Sequence, residues 1–102
     1  MAQLLVLYNK PADPAAFDRY YHEVHIPIAN KIPGLRSCHV SASPVTALVG
    51  GTAPHLVAVL QFDSMADISA ALVSPEGQAA AADLANFASG GATLLMYDSK
   101  AV

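Results

Sequence analysis

At 102 residues the chain has room for one domain, spanning residues 1–102, with a modest core that needs no staples. A formal charge of −3 with only five Lys+Arg argues against nucleic acid as a partner, and the single cysteine, Cys38, excludes an internal disulfide or a zinc site built on several cysteines. Charged residues make up 13% and hydrophobic ones 54%, more apolar surface than a monomer this small can hide, so self-association into a homodimer is expected.

No apolar run approaches ~20 residues, and no basic segment with an apolar run and cleavage site opens the chain, so neither a membrane span nor export is expected. A cytoplasmic location follows. Gln3–Tyr8 reads as a strand with both alternating sets apolar, Leu4, Val6 and Tyr8 against Leu5 and Leu7, the pattern of a strand covered on both sides.

Asp13–Leu35 is an amphipathic helical stretch, with Asp13 as cap, Pro14 at the first helical position and Gly34 as the stop. At about 100° per residue, Phe17, Tyr21, Val24 and Ile28 fall inside an arc of roughly 60°. Ile32 lies at its edge and His25 just beyond, one turn after Tyr21. Arg19 and Glu23, on the far side, are spaced for a weak i,i+4 pair. Pro27 denies an N–H to the carbonyl of Glu23, which predicts a kink, or a break and restart, close to His25.

Arg36–Ser43 alternates as a half-buried strand, with Cys38, Val40 and Ala42 on one face and Ser37, His39, Ser41 and Ser43 on the other; Pro44 suits an edge position. Pro44–Pro54 is a long connection able to extend that strand as far as Val49. His55–Phe62 is near-continuously apolar and belongs at the centre of a sheet. Ser64 with Asp67 opens a second helical region, and Ser74-Pro75-Glu76 restarts it toward Gly90-Gly91. Thr93–Tyr97 is the last strand, apolar on both faces. The order β-α-β-β-α-β specifies an α+β, ferredoxin-like sandwich of four antiparallel strands with helices across one face. The other face is left for a second copy, packed by two-fold symmetry.

The run Phe17-Asp18-Arg19-Tyr20-Tyr21-His22-Glu23-Val24-His25-Ile26-Pro27, followed by Lys31-Ile32-Pro33-Gly34-Leu35, resembles the signature of the EthD family, named for ethyl tert-butyl ether degradation. Phe62-Asp63-Ser64, Ser74-Pro75-Glu76-Gly77-Gln78, Ala82-Asp83-Leu84 and Asn86-Phe87-Ala88 resemble the family's ending. The resemblance runs nearly end to end. It implies a dimeric α/β barrel, each subunit keeping a small-molecule cleft between sheet and helices, and an association with degradative oxygenation. It does not supply a settled reaction, and fold alone cannot.

His25, matching the family's histidine ahead of the proline, is the first candidate for a catalytic acid or base. Tyr21, one turn earlier, is the candidate to bond that imidazole or a substrate oxygen. Phe17, His39, Phe62, Phe87 and Tyr97 are candidate pocket walls, suited to a small, apolar organic ligand. His22 and His25 make an i,i+3 pair, but with no third ligand a metal is not expected. Asp18 reads as a solvated first-turn acid, His55 as exposed and Cys38 as an inert thiol. No phosphate loop, nucleotide fingerprint or serine elbow is present, and no cofactor is expected. Two functions stay open. One is a binding protein accessory to, or taking part in, oxidative degradation; the other is a cofactor-free oxygenase, isomerase or cyclase using His25.

Overall fold

The computed structural model describes residues 1–102, in the order β1 (Ala2–Tyr8), α1 (Pro14–Tyr20), a π-helical turn (Tyr21–His25), α2 (Ile26–Ala29), β2 (Ser37–Val40), β3 (Leu56–Phe62), α3 (Met65–Val73), α4 (Pro75–Phe87) and β4 (Ala92–Asp98). The strands form one antiparallel sheet, ordered β2-β3-β1-β4, giving the expected ferredoxin-like fold. The two apolar strands β1 and β3 take the centre. The half-buried β2 takes an edge, its one serine, Ser37, donating to Gln61 Oε1 at 3.0 Å on the outward face.

Register decides which set of side chains the helices cover. Ala2, Leu4, Val6 and Tyr8 pair with Phe62, Leu60, Ala58 and Leu56, and all eight are buried beneath the helices. Gln3, Leu5 and Leu7 pair on one side with Gln61, Val59 and Val57, and on the other with Tyr97, Leu95 and Thr93; this second set forms the outward face. Apart from Ala92, β4 is exposed along its whole length, including Leu94 and Met96 on its helix side. No helix is long and apolar enough to cross a membrane.

Two expectations need correction. The β2 strand ends at Val40, and residues 44–54 form no strand, because Gly50 and Gly51 turn the chain with φ of +65° and +68° and leave Leu48 and Val49 exposed. The first helix does not break at Pro27 either. It widens instead: the N–H of Ile26 reaches back five residues to the carbonyl of Tyr21, and backbone angles stay helical through Ile26. A π turn takes up one extra residue, so the 3.6-residue projection fails beyond Tyr21. The buried stripe runs Phe17, Tyr21, His25, Ala29, in steps of four, while Val24 turns outward and is 38% exposed. Arg19 and Glu23 form no ion pair.

Caps behave as the sequence dictates. Asp13 accepts the N–H of Ala16 and Ser64 that of Asp67, each at 3.1 Å. At the α3–α4 corner the hydroxyl of Ser74 donates to the Ala71 carbonyl at 2.6 Å and accepts from the Gly77 N–H at 3.0 Å. The corner is tight enough that a Cβ on Gly77 would fall 1.9 Å from the Ala71 oxygen. Gly77→Ala should therefore destabilise the fold by about 2 kcal/mol, although alanine is the better helix former. A urea midpoint equal to or above the parent's would show that the corner opens without penalty.

Candidate functional site

The π turn delivers His25 into the seam between the first helix and α4. There its side chain is 8% exposed, and the ring lies 5.5 Å from Tyr21 in a stacked arrangement and 4.7 Å from Phe87. On α4 the buried side is Gly77, Ala80, Asp83 and Phe87, which puts a carboxylate on an otherwise small and apolar stripe. Asp83 accepts three hydrogen bonds: from the Tyr20 hydroxyl at 2.6 Å, from His25 Nδ1 at 2.9 Å and from the Asn86 amide at 3.0 Å.

Burial pushes the Asp83 carboxyl up, but the bonds from Tyr20, Asn86 and His25 outweigh it and hold the group below the usual carboxylate range. An ionised carboxylate only accepts, so Nδ1 of His25 carries a proton and directs it at Asp83. Nε2 forms no hydrogen bond within the chain, and it is not a sealed orphan; Gln3 Oε1 is the one such atom. The Tyr20 phenol, bonded to Asp83, is raised above its ordinary value. Tyr8 and Tyr21 are raised as well, chiefly by burial.

Of the sequence candidates, His25, Tyr21, Phe17 and Phe87 come together. Tyr8 joins them through edge and tilted ring contacts at 5.4 Å to Phe17, 5.5 Å to Tyr21 and 5.6 Å to Phe87. Phe62 lies on the same sheet face at its other end, opposite Ala2, roughly 20 Å along the strand from this cluster. His39 and Tyr97 project from the outward face, opposite Val59 and Gln3, with the sheet between them and His25. His22 is exposed while His25 is buried, so the two do not converge, and no group of three His, Cys, Asp or Glu side chains is placed to hold a metal. Cys38 is half-buried, and burial raises its thiol, leaving it a poor nucleophile.

Sequence reading missed Tyr20, Asp83 and Asn86 as site residues. A usable signal was present, since Asp83 lies only about 40° round α4 from Phe87 at ~100° per residue. A cleft of about 310 Å³ opens between the start of α1 and the end of α4, walled largely by Ala12, Ala16, Phe17, Ala85 and Phe87. Tyr20 and Asn86 line it too, and they are the two residues that hold Asp83 from the cleft side. His25 sits behind that wall rather than in it. The arrangement can present a mostly apolar surface with two oriented polar groups, and it can keep an imidazole in one tautomer.

Residues 9–91 match the protein-family profile described as EthD domain. An 11.0 kDa protein of Rhodococcus erythropolis, described as uncharacterized and in the thcB-thcC intergenic region, is 44% identical over 103 residues, covering 100% of this chain and 98% of the relative. The crystal structure of an ethyl tert-butyl ether d (EthD) family protein from Bacillus halodurans C-125 superposes with a TM-score of 0.87 at 32% identity, over 98% of this chain and 99% of that one. More distant structures share the fold alone. SnoaB, a cofactor-independent oxygenase from Streptomyces nogalater, gives a TM-score of 0.69 at 12% identity, over 99% and 94% of the two chains. A dimeric protein of unknown function and ferredoxin-like fold from Bacteroides fragilis gives 0.65 at 18%, over 96% and 95%.

Asp83→Asn preserves shape but removes the charge that strengthens all three bonds, and it puts a donor opposite His25 Nδ1, which stays paired only if the ring moves its proton to Nε2. A loss of about 2–3 kcal/mol at pH 7 is expected. The depressed carboxyl contributes fully above its unfolded value of 3.8, and that contribution disappears as pH falls through and below it. Urea unfolding of parent and variant should thus diverge at pH 7 and converge toward about pH 2. Equal stability at pH 7 would mean that the hub contributes nothing.

Proposed function

The chain belongs to the EthD family, and from that premise we propose that it is a cytoplasmic homodimer, residues 1–102 acting as one domain, that binds a small apolar organic compound and is accessory to, or takes part in, its oxidative degradation. The observation that carries the reading is the cleft beside Phe17 and Phe87, where two of the four polar lining residues, Tyr20 and Asn86, are aimed by Asp83 and the other two, Asp13 and Ser89, lie at the helix ends. Apolar walls with a few directed hydrogen-bonding groups suit a small uncharged molecule. Ethyl tert-butyl ether serves as a probe. Ring resonances of Phe17 and Phe87 should shift saturably, and Ala16→Leu, a helix-compatible change that fills the cleft, should abolish the effect. Shifts that persist in Ala16→Leu would refute this cleft as the site.

A second reading is a cofactor-free enzyme, and the Asp83–His25 bond favours it. A carboxylate that fixes one imidazole tautomer leaves Nε2 as a base for proton abstraction beside a carbonyl, or as its conjugate acid for return of that proton. The family's link with degradative oxygenation is compatible with either reading, and the oxygenase SnoaB shares the fold. His25→Ala separates the two. Lost turnover with retained probe affinity would establish catalysis, whereas an unaltered function would remove His25 from the site.

The assembly is supported by the outward sheet face, where Leu5, Leu7, Val57, Val59 and Leu95 form an apolar field with no helix over it. Gln3 lies within it, 6% exposed; its amide donates to Ser99 at 3.1 Å, but Oε1 has no partner in the chain. A buried acceptor without a donor is unfavourable by about 1–3 kcal/mol, and a second copy packed on this face can supply the donor. Sedimentation at micromolar concentration should show a dimer, and Leu95→Lys should shift it toward monomer. A monomeric parent protein would overturn the assembly.

A further inference from the structure

A second recess, of about 410 Å³, lies on the opposite side of α1 from the apolar cleft and shares no lining residue with it. It is bounded by Lys10 beyond β1, by Asp18 and His22 on the first helix, and by the segment that leaves β2 at Ser41 and returns at His55. Its inner wall is fixed. His55 Nε2–H donates to Asp18 Oδ1 at 2.7 Å, its backbone N–H donates to the Tyr8 carbonyl at 2.7 Å, and its ring stands edge-on to Phe17 at 4.9 Å.

Apart from Asp18 Oδ2, the remaining side-chain polar groups of the recess can donate. The Asp18 carboxylate is already engaged by His55, whereas Lys10 and His22 take part in no ion pair. Ser41 Oγ accepts the Val57 N–H at 3.1 Å, which leaves its own proton free to donate, and Ser43 lines the same wall. Val45 and Leu56 supply apolar surface beside them. One ammonium, an imidazole and hydroxyl donors suit a single negative charge. Asp18 within the wall, and the lack of any arginine there, disfavour a phosphate dianion. The volume is that of a small-molecule site.

We propose that this recess binds a small organic carboxylate, its anionic end held by Lys10, His22 and Ser41 and its short carbon body against Val45 and Leu56. The site is separate from the apolar cleft, so the two stand or fall independently. The test titrates the full chain with sodium benzoate, sodium phosphate and sodium chloride at constant ionic strength, following the ring signals of His22 and His55 by NMR. Benzoate should give a saturable shift, weakened about tenfold by Lys10→Gln and unchanged by Ala16→Leu. Shifts from benzoate no larger than those from chloride, or parent-like affinity in Lys10→Gln, would overturn the proposal. Phosphate binding as tightly as benzoate would overturn it as well, since the recess would then read charge alone.

Discussion

Pro27 has no N–H to offer the carbonyl of Glu23, and its ring crowds the turn in front of it. The helix answers by widening rather than by breaking. With Ile26 bonded back to Tyr21, one residue is inserted into the turn and everything after it is rotated relative to an ideal helix. Without that rotation, Val24 and Ile28 would face α4 and His25 would lie at the border. With it, His25 stacks on Tyr21, lies tilted against Phe87 and meets Asp83 at 2.9 Å, while Ala29 closes the stripe one turn later. A backbone constraint at one residue thus selects which side chain reaches the seam.

What the rotated helix meets is a carboxylate that water barely touches. Asp83 is 6% exposed, and an isolated charge so placed would simply protonate. Three donors converging on two oxygens reverse the balance, and each charge-assisted bond adds more than a neutral one. The geometry is self-consistent across elements. Tyr20 closes α1, His25 closes the π turn, Asn86 lies one turn after Asp83 on α4, and Phe87 packs against both aromatic rings of the first helix nearest the hub. Removing the charge would therefore loosen the packing of two helices, and with it the wall of the apolar cleft.

The architecture was legible because each of its elements is over-determined. Strands β1 and β3 are apolar on both faces and serine-bearing β2 on one, which assigns centre and edge; Asp13, Ser64 and Ser74 mark helix starts by the bonds they make. The site was less legible, since its key contact joins residues 58 apart in the chain. Periodicity placed Phe17 and Tyr21 correctly, up to the first residue of the π turn, and misplaced Val24 within it. His39 and Tyr97 read as walls of the pocket that holds His25, but strand parity sends both through to the other face. An aspartate within an alanine-rich amphipathic helix reads as a solvated residue unless its angular distance from Phe87 is measured.

Two histidine–aspartate pairs flank the first helix, and their surroundings give them different work. His25–Asp83 is sealed between aromatic rings, with side chains 8% and 7% exposed; His55–Asp18, shorter at 2.7 Å against 2.9 Å, has an aspartate 54% exposed. In the first pair low local polarity strengthens every bond and makes the imidazole's orientation nearly invariant. In the second, water screens the charge, and the bond chiefly anchors the start of β3 to the first helix. The helix therefore acts as a partition. Its α4-facing side carries an apolar cleft backed by a buried charge, and its loop-facing side carries a polar recess with an unpaired ammonium. Placing those two environments on opposite sides of one short helix gives them no lining residue in common, and Phe17, a wall of the cleft that stands edge-on to His55, is the one side chain that touches both.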